Sequence, residues 1–100
     1  MIFVLDGRLD SHTSMQLEDD FHRAFSQGER NFIWECSKLT YLSSAGLRAF
    51  LLAVKHLDQR GGKLVIAAAK PAIVEVFEIS GFKAMLILKP DLLSALSVHS

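Results

Sequence analysis

Two adjacent serines, Ser43 and Ser44, are the side chains of this sequence best placed to do chemistry. They follow an apolar strand, and Gly46 stands where the chain is predicted to turn tightly into an amphipathic helix. The free N–H groups and the dipole of a helix N-terminus favour an incoming anion. No histidine or acid is spaced to activate either hydroxyl as a nucleophile. The position therefore suits phosphorylation, which adds about −1.5 to −2 charges.

The remaining reactive side chains form no catalytic or metal-binding pattern. The chain contains four histidines, at His12, His22, His56 and His99. They lack metal-ligand spacing among themselves and with the only cysteine, Cys36. Gly61-Gly62-Lys63 resembles the end of a phosphate-binding loop, but it lacks the preceding glycine and the following hydroxyl residue. We therefore expect no metal, no cofactor and no enzymatic activity.

Length and composition indicate one soluble domain spanning residues 1–100. Of the 100 residues, 50% are hydrophobic, and 11 basic side chains balance 11 acidic ones. A neutral balance without a basic cluster gives no electrostatic footprint for nucleic acid. The apolar stretches are far shorter than the ~20 residues of a membrane span. One cysteine cannot form an internal disulfide, so the chain is compatible with a reducing compartment and we expect it in the cytoplasm.

The spacing of apolar residues predicts strands alternating with helices. We predict strands at residues 2–5, 31–36, 63–69 and 84–88. Helices are predicted after a capping cluster at residues 11–14, after Ser43-Ser44, from Pro71 to Gly81, and after Asp91. Within the first cluster, Thr13 and Gln16 have the spacing of a capping box. Strands separated by helices pair in parallel through right-handed crossovers. The prediction is an α/β fold in which about four helices cover a mostly parallel four-stranded sheet as one pair of layers.

Four short motifs, in this order and spacing, resemble those of the STAS domain, the fold of bacterial anti-sigma factor antagonists. The motifs are Gly7-Arg8-Leu9-Asp10, Ser43-Ser44-Ala45-Gly46-Leu47, Gly61-Gly62-Lys63-Leu64 and Ile79-Ser80-Gly81-Phe82. The resemblance covers the whole chain. It implies that the chain is a single STAS domain of bacterial origin. Such a domain regulates transcription by binding another protein and is not an enzyme.

The resemblance also implies which serine is modified. The family turn reads Asp-Ser-Ser/Thr-Gly, and the serine after the aspartate is phosphorylated by a partner kinase. Aligned on Gly46, that serine is Ser44, with Ser43 as helix cap or back-up acceptor. Ser43 replaces the family aspartate and Ala45 replaces the second hydroxyl residue. The turn therefore lacks a carboxylate that could orient the hydroxyl or contact the kinase.

A partner-binding surface is implied around the same turn. Its expected members are Asp10, Ser43, Ser44, Ala45, Gly46 and Arg48. For Asp10 the alternative is a role in turn structure, and for Arg48 it is a place on a solvated helix face. The partner implied is an anti-sigma factor of the histidine-kinase-like ATPase type, whose capture releases a sigma factor. A PP2C-type phosphatase is a further implied partner.

STAS domains have a second known use that this sequence also fits. They serve as non-phosphorylated subunits of phospholipid-trafficking ABC transporters and as regulatory tails of anion transporters. In that alternative the helix after the serines docks constitutively, and Ser44 is a hydroxyl contact that carries no phosphate.

The first residues depart from the family pattern. STAS proteins usually have another strand before the one that ends at Gly7-Arg8-Leu9-Asp10, whereas Met1 here begins almost inside that strand. Without the extra strand, the sheet would expose an edge or the apolar surface beneath it. An exposed edge invites pairing with another chain, so we expect a tendency to form homodimers.

Overall fold

Strands and helices alternate along the chain, as the apolar spacing predicts. In the computed structural model, which describes all of residues 1–100, the strands are β1 (Ile2–Leu9), β2 (Asn31–Leu42), β3 (Lys63–Ala67) and β4 (Ile87–Lys89). The helices are α1 (Ser11–Ser26), α2 (Ser44–Gln59), α3 (Pro71–Ile79) and α4 (Leu92–Val98). A single 3-10 turn (Lys83–Met85) precedes β4.

The four strands form one parallel sheet in the order β1-β2-β3-β4. Helices α1, α2 and α3 connect neighbouring strands, and all three pack on the same face of the sheet. Connections of a single hand that each advance by one strand place their helices in this way. Helix α4 packs on the opposite face, where Ala95 joins Ile33, Val65 and Ala67 in a separate small core. The expectation of one pair of layers is therefore wrong, because α4 makes a third layer.

Aromatic side chains connect the sheet to the three helices on its main face. Trp34 of β2 is fully buried, and its ring centroid lies 4.9 Å from that of Phe50 in α2. Phe21 of α1 lies at 4.9 Å from Phe32, and Phe50 lies at 5.4 Å from Phe77 of α3. Burying each such side chain stabilises the fold by about 1.5–3 kcal/mol. This packing sets where the N-terminal ends of α1 and α2 lie.

Several strand boundaries differ from the prediction. β1 runs on to Leu9 and β2 to Leu42, although polar residues interrupt both apolar runs. Their pairing shifts register between Val4 and Asp6 and between Gly7 and Arg8, and such irregularities let a strand continue past residues that do not alternate. β3 ends at Ala67 because Ala68 has a left-handed backbone (φ +58°). β4 begins only at Ile87, because the preceding residues form the 3-10 turn.

β1 is an edge strand with β2 on one side only. The N-terminal amine of Met1 donates to the carbonyl of Asn31 at 3.0 Å, and its carbonyl accepts from the N–H of Ile33 at 2.9 Å. Backbone groups alternate in direction along a strand, so those of Ile2 and Val4 face the open edge. The side chains of these two residues are also exposed, by 44% and 59%.

We predict that the 100-residue chain dimerises through this edge at tens of micromolar. Two β1 strands can pair about a twofold axis, and pairing would cover exposed Ile2 and Val4. Val4→Lys adds a positive charge to the open edge of each copy and should leave the chain monomeric. Light scattering of both proteins measures the mass. A monomeric wild-type chain at the same concentration would contradict the prediction.

Candidate functional site

The carboxyl ends of β1 and β2 bring the Asp10 loop and the two serines together. The strands pair Arg8 with Tyr41 and Leu9 with Leu42, so the next residues along each strand also lie side by side. The N–H of Ser43 donates to the carbonyl oxygen of Leu9 at 3.0 Å. Helices α1 and α2 both begin at this edge of the sheet.

Ser43 caps α2 and attaches it to β1. Its backbone is extended (φ −80°, ψ 172°), and its Oγ accepts a hydrogen bond from the N–H of Gly46 at 3.1 Å. The same hydroxyl donates to the carbonyl oxygen of Leu9 at 2.8 Å. The side chain is half-buried, and its hydroxyl both donates and accepts. Ser43 therefore has a structural role in which its oxygen is already engaged.

Ser44 differs from its neighbour in exposure and bonding. It is the first residue of α2, its side chain is exposed, and its hydroxyl makes no hydrogen bond within the chain. The oxygen is thus open to a reacting group from solvent. It also lies at the N-terminus of a 16-residue helix, where unpaired N–H groups and the dipole favour negative charge.

Gly46 is required for a close approach and not for a turn. It lies inside the first turn of α2 and does not have a positive φ, so the expectation that it makes the tight turn is wrong. A Cβ on Gly46 would lie 2.8 Å from the carbonyl oxygen of Leu9 and 2.7 Å from Cδ1 of Leu42. The change of direction is made by the extended backbone of Ser43, and Ala45 is half-buried beside it.

Asp10 caps α1 through one carboxylate oxygen. Its Oδ1 accepts from the N–H groups of His12 at 3.1 Å and Thr13 at 3.0 Å, and Oδ2 accepts neither bond. In return, the hydroxyl of Thr13 accepts from the N–H of Asp10 at 2.9 Å. The capping box is thus Asp10 with Thr13, and the predicted pairing of Thr13 with Gln16 is wrong. The bond from the Thr13 N–H, above all, lowers the pKa of Asp10.

One contact beside the site has no counterpart among the residues expected from the sequence. The guanidinium of Arg8 stacks over the ring of Tyr41, 4.0 Å from its centroid. Both side chains are exposed, and such a cation–π contact contributes about 0.5–1 kcal/mol. Only the register of β1 on β2 brings these two residues together, so no local pattern could have revealed the pair.

Arg48 lies one turn beyond Ser44 on α2. Its side chain is exposed and forms no ion pair. Residues four apart on a helix lie on the same face, so the guanidinium is within reach of a group attached to the Ser44 oxygen.

The side chains elsewhere in the chain form no second reactive cluster. The Cys36 thiol is fully buried, and burial raises its pKa to about 12. No group of three or more histidine, cysteine, aspartate or glutamate side chains is placed to hold a metal ion. None of the helices combines the length and the apolar character required to cross a bilayer.

Sequence comparison establishes the family. The STAS domain family matches residues 1–95, and the chain belongs to this family. Relatives in sequence are named as anti-sigma factor antagonists. BtrV of Bordetella bronchiseptica, provisionally described as an anti-sigma factor antagonist, is 44% identical over 82 residues, which cover 82% of this chain and 71% of that protein. The anti-sigma-B factor antagonist of Staphylococcus aureus is 30% identical over 80 residues, covering 80% of this chain and 74% of that protein.

Solved structures confirm the predicted fold. The anti-sigma factor antagonist SpoIIAA in its unphosphorylated form superposes with a TM-score of 0.83 at 22% identity, over 98% of this chain and 86% of that one. The phosphorylated form of Bacillus SpoIIAA superposes with a TM-score of 0.77 at 22% identity, over 99% of this chain and 89% of that one. The protein thus has the STAS fold, and its sequence relatives place it in the anti-sigma factor antagonist family.

The two serines should differ in their effects on stability. We predict that Ser43→Ala lowers the free energy of unfolding by about 1–2 kcal/mol, because it removes a helix cap and a bond to Leu9. Ser44→Ala should change it by less than about 0.5 kcal/mol, because the exposed hydroxyl has no partner. Urea unfolding measures both. Equal losses for the two variants would contradict this division.

The Asp10 cap should also be visible in the pH dependence of stability. Its folded pKa lies below the ordinary value of 3.8, so the stabilisation is present above that pH and is lost as the pH falls through the lower folded pKa. We predict that Asp10→Ala lowers the urea midpoint near neutral pH and that the deficit shrinks below about pH 4. Asp19→Ala, at an exposed site within α1, is the control and should show little effect. A deficit for Asp10→Ala that is constant down to pH 2 would contradict the assignment.

Proposed function

We propose that this protein antagonises an anti-sigma factor and that phosphorylation of Ser44 switches the interaction off. The observation that carries the proposal is the contrast between the free, exposed hydroxyl of Ser44 and the engaged hydroxyl of Ser43. Family membership and relatives named as anti-sigma factor antagonists support it. The phosphorylated form of SpoIIAA shows that this fold carries phosphate in another member of the class.

The unmodified surface around Ser44 is the proposed docking face. It comprises the Ser43–Gly46 turn with Asp10 on one side and Arg48 on the other. The partner is an anti-sigma factor of the histidine-kinase-like ATPase type, which supplies ATP and Mg²⁺ and transfers a phosphoryl group to the Ser44 oxygen. Docking of the unphosphorylated chain in the cytoplasm releases the sigma factor. A PP2C-type phosphatase would return the serine to its free form.

The fold can accept a phosphate at Ser44 without loss of structure. The N-terminal end of α2 stabilises a nearby negative charge by about 0.3–1 kcal/mol. Arg48 is four residues further along, a rise of about 6 Å, and it has no competing ion pair. A phosphate on Ser44 can therefore gain a charge-assisted hydrogen bond within the same helix.

The same phosphate opposes docking. A partner that covers Ser44 would have to bury about two negative charges, and burying charge without a partner costs several kcal/mol. Each 1.4 kcal/mol reduces affinity about tenfold. Since Ser43 stands where the family has an aspartate, the Ser43–Gly46 turn has no charge until it is phosphorylated. Modification thus changes the turn from neutral to strongly negative.

Substitutions at Ser44 test the switch. We predict that Ser44→Asp binds the anti-sigma factor at least tenfold more weakly than Ser44→Ala. Pull-down from native lysate, with mass spectrometry, identifies the retained histidine-kinase-like ATPase, and calorimetry with that purified protein gives the Kd. Ser97→Asp adds the same charge on α4, which packs on the other face of the sheet, and should bind like wild type.

Two outcomes would contradict the switch. Equal affinities of Ser44→Asp and Ser44→Ala for the anti-sigma factor would remove the role of charge at this position. Capture of transporter components by the wild-type chain would instead favour a constitutive subunit in which Ser44 is an unmodified contact.

A further inference from the structure

An apolar groove runs along the outer face of α2, where Val54 of the main core forms part of its lining. It has a volume of about 340 Å³ and lies between α2 and the segment that includes the 3-10 turn. Its floor includes Leu51 and Leu52 of α2, together with Phe82 and Met85. None of these four side chains belongs to or packs against either core.

The exposure of the floor indicates that the groove is built to be covered. Met85 is 55% exposed, and the other three floor residues are half-buried. The inner face of α2 already supplies the main core with Phe50, Ala53 and Leu57. Leu51 and Leu52 lie outside that core and leave part of their apolar surface open to solvent. Contiguous apolar surface of this kind marks an interaction site more often than scattered single residues do.

The rim of the groove is positively charged. Arg48 and Lys55 lie on it seven residues apart, which is two helical turns or about 10 Å along α2. Neither forms an ion pair, since the ion pairs of the chain are Arg23 with Asp20 and Lys83 with Glu78. Asp58 is the only acidic residue in the lining, and it lies near the C-terminal end of α2. Two of the three charges are thus unpaired cations spaced to face acidic groups on an occupant.

The dimensions suit a helix. The lining extends along α2 from Arg48 to Gln59, about 16 Å or three helical turns. A three-turn amphipathic helix matches the length of this lining, and its apolar residues at i, i+3, i+4 and i+7 can cover the floor formed by Leu51, Leu52, Phe82 and Met85. Acidic residues spaced seven apart along one flank would face Arg48 and Lys55.

We propose that this groove binds an acidic amphipathic helix of the anti-sigma factor, as a second docking point beside the Ser44 surface. The inference rests on the proposed function, because it assigns the same partner. The two surfaces are continuous, since Arg48 lies at one end of the groove and one turn from Ser44. The groove contributes apolar contacts to the partner along α2, and phosphorylation of the serine turn controls whether the partner binds.

A single-thiol footprint tests occupancy directly. The native Cys36 thiol is fully buried with its pKa raised to about 12, so an introduced cysteine is the reactive thiol of the chain. Met85→Cys reports on the groove, and Ile79→Cys, at a 78% exposed position outside it, is the matched control. We expect saturating purified anti-sigma factor to slow maleimide alkylation at least tenfold for Met85→Cys and less than twofold for Ile79→Cys.

Charge reversal tests the acidic character of the occupant. Lys55→Glu should weaken the Kd for the purified anti-sigma factor at least tenfold. Lys63→Glu, an exposed lysine outside the groove, should bind within twofold of wild type. Both variants replace exposed side chains without hydrogen bonds in the structure, and urea unfolding verifies that they are folded.

The outcomes separate this inference from the proposed function. If Ser44→Asp loses binding while Met85→Cys is unprotected and Lys55→Glu binds like wild type, the groove proposal is overturned and the switch stands. If the wild-type chain binds no anti-sigma factor, both are overturned. Protection of Met85→Cys in concentrated protein alone would show that a second copy fills the groove, which also overturns the proposal.

Discussion

The carbonyl oxygen of Leu9 is the point on which the candidate site depends. It ends β1 and accepts both the backbone N–H and the hydroxyl of Ser43, at 3.0 and 2.8 Å. The first turn of α2 packs so closely against it that a Cβ on Gly46 would lie 2.8 Å away. One backbone oxygen therefore holds the start of α2 against the end of β1. Asp10, the next residue after Leu9, begins α1 at the same place. The Asp10 loop and the serine turn are thus adjacent because of this contact.

This arrangement gives the two serines different tasks. The hydroxyl of Ser43 is used for capping and for the bond to β1, so modifying it would break both hydrogen bonds. The hydroxyl of Ser44 projects from the same turn without a partner, and the scaffold beneath it does not depend on that oxygen. A position whose side chain is exposed while its backbone is held rigidly is suited to carrying a charge that changes. The turn can then alter what it binds without altering how the chain folds.

Helix α2 is the element through which core, switch and groove are connected. Its inner face contributes Phe50, which contacts both Trp34 of β2 and Phe77 of α3. Its N-terminus carries Ser44, and its outer face carries the apolar floor beside Arg48 and Lys55. Because the aromatic contacts fix the helix relative to the sheet, the two proposed docking surfaces keep a constant spacing. A partner that engages both is bound along one rigid helix.

The sequence by itself determined the order of strands and helices, the parallel sheet, the family and the helix N-terminus that carries Ser44. These features are readable because apolar periodicity, caps and short motifs act between residues close in the chain. The tertiary structure decided the features that depend on contacts between residues far apart in the chain. The pairing of β1 with β2 carried both strands past their polar residues, and it brought Arg8 to Tyr41. Packing against Leu9 and Leu42 explains Gly46, which local reasoning assigned to a turn. Helix α4 packs on the opposite face of the sheet, and the groove forms beside the 3-10 turn. Both depend on contacts between segments far apart in sequence, which no local pattern predicts.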